Sequence, residues 1–132
     1  MTQIKTHTLN NGMVIIGEYM PDISSAAFDF LLPAGPAEVP EGYIGASNVI
    51  TDWIFRGAGN RTSLQVTTDL DNLGLHRYSS VSSSHINFGA AMESSNLLPA
   101  LDIYSDVILR PELNEKEFEN SKMLATQNIL GL

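Results

Sequence analysis

The chain has 132 residues, a formal net charge of −8 and 43% hydrophobic residues, which suits one globular domain with a real core and excludes a disordered polymer. The acidic balance, uninterrupted by any Lys/Arg cluster, argues against nucleic acid or an anionic membrane surface as a partner. Cysteine is absent, so there is no disulfide framework and no thiolate metal site, and no apolar run approaches the roughly 20 residues of a transmembrane helix. Met1 to His7 lacks the apolar stretch of a secretory signal, so a soluble, cytoplasmic protein without membrane insertion is the expectation.

A short strand is expected from Thr6 to Leu9. Asn10-Asn11-Gly12 is a hairpin turn signal, because Asn and Gly accept positive φ cheaply. Met13 to Glu18 reads as the returning strand. After a turn at Pro21-Asp22, Ala26 to Leu32 reads as a third strand, buried on at least one face. A Pro/Gly-rich loop, Pro33 to Gly42, leads into a helix expected from about Ile44 to Phe55. Its residues Val49, Ile50, Trp53 and Ile54 form an apolar side suited to packing on a sheet. Gly57-Ala58-Gly59-Asn60 stops it. Thr62 and Ser63 cap a second helix, with Gln65 placed for a reciprocal capping contact, and that helix ends at Gly74. Two strands follow, around Leu75–Ser80 and His85–Met92, with the Ser-rich stretch Ser79 to Ser84 read as the hairpin tip. Ser94-Ser95-Asn96 caps a helix that ends before Pro111. Asn114 caps the last helix, and Glu115, Glu117 and Glu119 complement its N-terminal dipole. The order β-β-β-α-α-β-β-α-α is not the alternation of a doubly wound sheet. It predicts an α+β fold: a mostly antiparallel sheet with helices packed on one side.

Residues 42–57 read Gly-Tyr-Ile-Gly-Ala-Ser-Asn-Val-Ile-Thr-Asp-Trp-Ile-Phe-Arg-Gly. The frame resembles the active-site helix of the pitrilysin or insulinase family of zinc peptidases, which includes the mitochondrial processing peptidase. In that family the stretch reads G-x-S-H-x-x-E-H-x-x-F-[KR]-G. The segment Arg110-Pro111-Glu112-Leu113-Asn114-Glu115-Lys116-Glu117-Phe118-Glu119-Asn120-Ser121-Lys122 resembles the family's lead-in to the helix that carries the third zinc ligand. The hairpin start and the loop at Pro33–Gly42 are similar to family features as well. The resemblance runs from about Leu9 to Asn128. It implies a single, partial peptidase domain over residues 1–132, since the family's unit continues with further helices and strands.

The same resemblance implies that the chemistry has been removed. The His, Glu and His positions hold Asn48, Thr51 and Asp52, and the later Glu pair falls on Gln127 and Asn128. A catalytic zinc site takes about three protein ligands and keeps a position open for water. In the inverted H-x-x-E-H motif the two His share a helix face, and the Glu takes the proton from the bound water. Amides are poor zinc ligands, and a threonine hydroxyl is no general base near neutral pH. Asp52 alone is not a site. The pattern reads as a pseudoenzyme with no cofactor, in contrast to the zinc of active relatives.

Three histidines, His7, His76 and His85, lack a His or Glu partner at helix spacing and read as surface or strand residues. A relocated zinc site built from His76 or His85 with Asp52 stands as a minor alternative. Asp69 and Asp71 do not share a helix face, and no phosphate-binding or nucleophile-elbow pattern occurs. The segment Gly74 to Ile86 resembles the family's edge strand, which pairs with substrate backbone. Here the family's Asn-Ala pair is Tyr78-Ser79, and Tyr78, Ser79 and Ser80 are candidate substrate contacts. An ordinary paired hairpin is the competing reading. The resemblance implies a partner, either a homologous zinc-bearing peptidase subunit or a second copy of this chain, with peptides as ligands. The alternative roles are a structural or assembly subunit resembling the core proteins of the bc1 complex, and a peptidase with a relocated metal site.

Overall fold

The computed structural model describes residues 3–131; Met1 and Thr2 of the N-terminal stretch read above, and Leu132, lie outside the described residues. The element order is β1 (Gln3–Thr8), β2 (Val14–Tyr19), β3 (Ser25–Leu32), α1 (Ala46–Trp53), α2 (Ser63–Asn72), β4 (His76–Val81), β5 (Ile86–Glu93), α3 (Leu97–Leu109) and α4 (Glu115–Leu130). Single 3-10 turns at Pro36–Glu38 and Ser94–Asn96 lead toward α1 and α3. The architecture is α+β with antiparallel strands, in the order the sequence predicts. The strands do not form one sheet, however. β1 and β2 make a separate hairpin, and β3, β5 and β4 make a three-stranded sheet in that spatial order.

The hairpin turns at Gly12, whose φ of 89° is the left-handed geometry an Asn-Gly turn supplies. Asn11 Oδ1 accepts from the Met13 amide at 3.0 Å, and every residue of both strands is exposed. The hairpin has a local reason to form, and its strands stay exposed and apart from the main sheet.

That sheet has two unlike faces. Ile86, Phe88, Ala90 and Met92 of β5 are buried beneath the helices together with Val66, Leu70, Ala100, Ile103, Tyr104 and Val107. Phe28 stands edge-on to Tyr104 at 4.8 Å between ring centroids, and Phe55 meets Phe88 and Tyr104, each at 5.5 Å. On the far face, Ala27, Asp29 and Leu31 of β3 are exposed. Alternation along the strand puts one set of side chains on each face. Burying Tyr104 holds its phenol proton, pushing its pKa up to about 12.

Two of the helix-start signals act as read, while Ser94-Ser95-Asn96 forms a 3-10 turn in which no side chain caps α3, Asn96 Nδ2 donating instead to the Leu73 carbonyl at 2.9 Å. Thr62 accepts from the Gln65 amide while Gln65 accepts from the Thr62 amide, a complete capping box. Asn114 accepts from the Lys116 amide at 2.9 Å and starts α4, which ends at Gly131 with φ 70°. α1 starts later than expected: Gly45 takes φ 94°, so Tyr43 and Ile44 stay outside the helix and exposed. No described helix is long and apolar enough to cross a membrane.

Candidate functional site

Three elements meet at the degenerate motif. α1 lies against α4 and also contacts β4. Trp53 ties the helices together: its indole Nε1 donates to the Asn114 carbonyl at 2.9 Å, and its ring meets that of Phe118 at 4.9 Å. Ser47, buried, donates from Oγ to the Ala34 carbonyl at 2.9 Å and pins α1 to the preceding loop.

Between these elements lies a cleft of about 400 Å³ lined by Asn48 and Thr51 of α1, Ser79, Ser80 and Val81 of β4, and Ala125, Asn128 and Ile129 of α4. Residues far apart in sequence are thus brought together: two motif positions from the first helix, the ligand position from the last, and two candidate substrate contacts. Thr51 Oγ1 donates to the Asn48 carbonyl at 2.8 Å, the usual back-bond of a helical threonine. Among the described residues, the side chains of Asn48, Ser79, Ser80 and Asn128 make no hydrogen bond to protein. Among the described residues β4 pairs with β5 alone, which makes it an edge strand of the sheet.

Asp52 and Tyr78 do not line this cleft. Asp52 Oδ2 accepts from Arg56 Nε and from Ser121 Oγ, both at 2.6 Å, and Arg56 reaches on to Glu117 at 2.9 Å. The Asp52 hydrogen bond, set against partial burial, holds the Arg56 guanidinium above its ordinary value. Ser121 is fully buried, so its hydroxyl has reason to be paired. Glu117, read as a helix-dipole residue, also closes this brace between α1 and α4. Tyr78 stands opposite Gly89 of β5, and its ring occupies the space that a Cβ at Gly89 would take. An aromatic covering a strand glycine is a packing role on the sheet.

The donor set does not fit a zinc ion. Two positions are carboxamides, a third is a hydroxyl bonded to the helix backbone, and the carboxylate is tied to Arg56 and Ser121. Among the described residues no group of three His, Asp or Glu is close enough to hold a metal. His85 Nδ1 lies 2.7 Å from Ser84 Oγ in the β4–β5 turn, and His7 and His76 are exposed on their strands.

Sequence reasoning did not single out Arg56, Ser121, Val81, Ala125 or Ile129 as parts of this region. Arg56 stood inside the motif frame and Ser121 inside the second segment, but nothing in the spacing joined them. The aliphatic residues carry no chemical signal and enter only through the approach of α4 to β4.

Comparison with known proteins follows the same frame. The family model for insulinase (peptidase family M16) matches residues 14–130. The beta subunit of the mitochondrial-processing peptidase of Saccharomyces cerevisiae is 25% identical over 118 residues, covering 89% of this chain and 26% of that protein. An uncharacterized zinc protease of Bacillus subtilis, YmxG, is 24% identical over 127 residues, covering 96% and 31% respectively. The chain therefore spans between a quarter and a third of the length of these relatives. Among solved structures, a protease from Helicobacter pylori superposes with TM-score 0.84 at 17% identity, covering 94% of this chain and 30% of that one. Pitrilysin superposes with TM-score 0.82 at 24% identity over 91% of this chain and 13% of its own. These two share the fold. With the family model covering most of its length, the chain belongs to the insulinase family, peptidase family M16.

Proposed function

We propose that this chain is a non-catalytic member of its family, acting as the substrate-holding half of a peptidase assembly whose hydrolysis is done by a zinc-bearing homologue. One observation carries the reading. The four positions that should supply two imidazoles, a general base and a carboxylate hold Asn48, Thr51, Asp52 and Asn128, and the one carboxylate among them is braced to Arg56 and Ser121. A chain in this state has no means of polarising a carbonyl or activating water there. The free edge of β4 beside the cleft supports the substrate-holding half, because an edge strand can accept an extended peptide through main-chain hydrogen bonds. The relatedness to a processing-peptidase subunit supports partnership with a second, homologous chain.

The test is native mass spectrometry of the protein isolated from its own host with metal retained. A complex with a zinc-bearing homologous chain, and no zinc on this one, is expected. One zinc per copy of this chain, with chelator-sensitive peptide cleavage by the purified chain alone, would overturn the reading. A complex devoid of peptidase activity would instead favour the purely structural, bc1-core-like role.

A further inference from the structure

We infer that Asn11 is a site of self-modification: its carboxamide cyclises onto the Gly12 main-chain nitrogen and reopens as isoaspartate, and the change unpairs β1 from β2.

The sequence singles out the position, because Asn11 alone among the asparagines precedes a glycine. Gly12 has no Cβ to crowd its nitrogen, and nothing lies within 4 Å of where one would stand. Asn10, Asn11, Gly12 and Met13 are all exposed, so solvent reaches the turn.

The hydrogen bonds of the turn set up the chemistry. The Met13 amide donates to Asn11 Oδ1 at 3.0 Å. That oxygen gains negative charge when a nucleophile adds to Cγ, and a donor already aimed at it stabilises the charge. The contact spans two residues, so it does not need the strands to be paired. One contact opposes the reaction. The Gly12 amide donates to the Leu9 carbonyl at 2.9 Å, which occupies the nitrogen while the turn is closed. It is released when the hairpin opens. Both strands are exposed along their whole length, and a two-stranded hairpin by itself is only marginally stable in water.

The step balances with water as the co-reactant and no redox change. Gly12 N gives its proton to solvent and attacks Asn11 Cγ. The N–Cγ bond forms, the Cγ–Nδ2 bond breaks, and Nδ2 takes up a proton and leaves as ammonia. One water then opens the five-membered imide. Opening at Cγ gives aspartate. Opening at the Asn11 main-chain carbonyl gives isoaspartate, whose main chain runs through Cβ and Cγ. Either way one water enters, one ammonia leaves and one negative charge is added.

Position gives the product its effect. Thr8 and Val14 are the cross-strand pair next to the turn, and the Leu9 amide donates to the Met13 carbonyl at 2.8 Å. Turn length fixes the register of a hairpin. A methylene inserted into the main chain at Asn11 lengthens the turn and mismatches the pairing. The sheet of β3, β5 and β4 pairs separately and is left intact.

The test is incubation of the full 15N-labelled chain in mildly alkaline buffer. Peptide mapping with electron-transfer fragmentation tells isoaspartate from aspartate, and cross-strand nuclear Overhauser contacts report the pairing of β1 with β2. A gain of one mass unit at Asn11 and none at Asn10 is expected, with isoaspartate the major product. The β1–β2 contacts should fade in step with it, while those of β3, β5 and β4 persist. Asn11→Ser removes the carboxamide but keeps an acceptor for the Met13 amide, so it should block the gain and stay paired. Fresh Asn11→Asp adds the charge on an unaltered main chain and should stay paired as well. No gain at Asn11, equal gain at Asn10, or conversion with the β1–β2 contacts intact would each overturn the inference. So would unpaired strands in fresh Asn11→Asp, or in the parent before any conversion.

Discussion

The same two helices carry two polar regions that behave in opposite ways. In the brace, Asp52, Arg56, Glu117 and Ser121 are bonded to one another across α1 and α4. In the cleft, Asn48 and Asn128 sit on the same helices with side chains that bond to none of the described residues. Asp52 and Asn48 are one helical turn apart, so the difference does not come from where the backbone runs. It comes from what each side chain meets. The brace is partly buried, where an unmade hydrogen bond is costly, and the cleft is open, where water serves. Paired polar groups of this kind hold a fold together, whereas unpaired ones facing a cavity are free to meet a ligand.

Asp52→Ala should give the largest effect. It removes the acceptor of both Arg56 and the buried Ser121. With side chains 26% and 32% exposed for Arg56 and Asp52, solvent screening limits the loss. About 1–2 kcal/mol of stability is expected in urea melts at low ionic strength. A cycle with Arg56→Met should show the two losses to be coupled, not additive. A neutral Asp52→Ala would collapse the comparison, since the brace would then be no more consequential than the cleft.

A second knot sharpens the comparison away from the site. Arg61 bonds Asp69 at 3.1 Å and Asp106 at 2.5 Å, and Arg110 also bonds Asp106. The Arg110 hydrogen bond, opposed by desolvation and helped by Arg61, holds the Asp106 carboxyl below its ordinary value of 3.8. The folded state therefore releases this proton more readily than the unfolded one. The stabilisation is full above the ordinary value and is lost as pH falls below it toward the folded pKa. Asp106→Asn should flatten that part of the acid unfolding curve, measured by circular dichroism.

Tyr104 is the intermediate case, a buried ring whose hydroxyl donates to the Gly89 carbonyl at 3.4 Å. Its pKa is pushed up from 10.0 to about 12, so the folded state keeps a proton that the unfolded chain gives up. Its contribution is complete below pH 10 and is lost as pH rises toward about 12. Tyr104→Phe should remove this alkaline dependence at a cost of roughly 0.5–1.5 kcal/mol near neutrality, the range for one hydrogen bond.

Much of this was legible beforehand because the signals are local. Thr62 with Gln65, Asn114 and the Asn10-Asn11-Gly12 turn act within a few residues, and alternation along β5 gives its buried face. The detached hairpin was not legible. Whether β1 and β2 join the main sheet depends on pairing partners that no local pattern names. Asn48, Thr51 and Asn128 were visible as positions in a motif, and Ser79 and Ser80 as a strand. That Asp52 turns to Arg56 and Ser121 while Asn48 faces the cleft is decided by the approach of α4, which carries Ser121 alongside Asp52. Likewise Tyr78 was legible as a strand residue but not as the cover over Gly89, because that contact is set by the β4–β5 register.

The smallest expected effect completes the comparison. Asn48→Ala and Asn128→Ala remove no hydrogen bond to a described residue, and both side chains are exposed. Both sit inside helices, where alanine is the better helix former by up to about 0.7 kcal/mol. Each variant should therefore be neutral or slightly more stable than the parent in urea melts. A loss of 1 kcal/mol or more at either position would instead mean that the Asn serves the fold. The brace and the cleft would then be two parts of a single structural joint between α1 and α4.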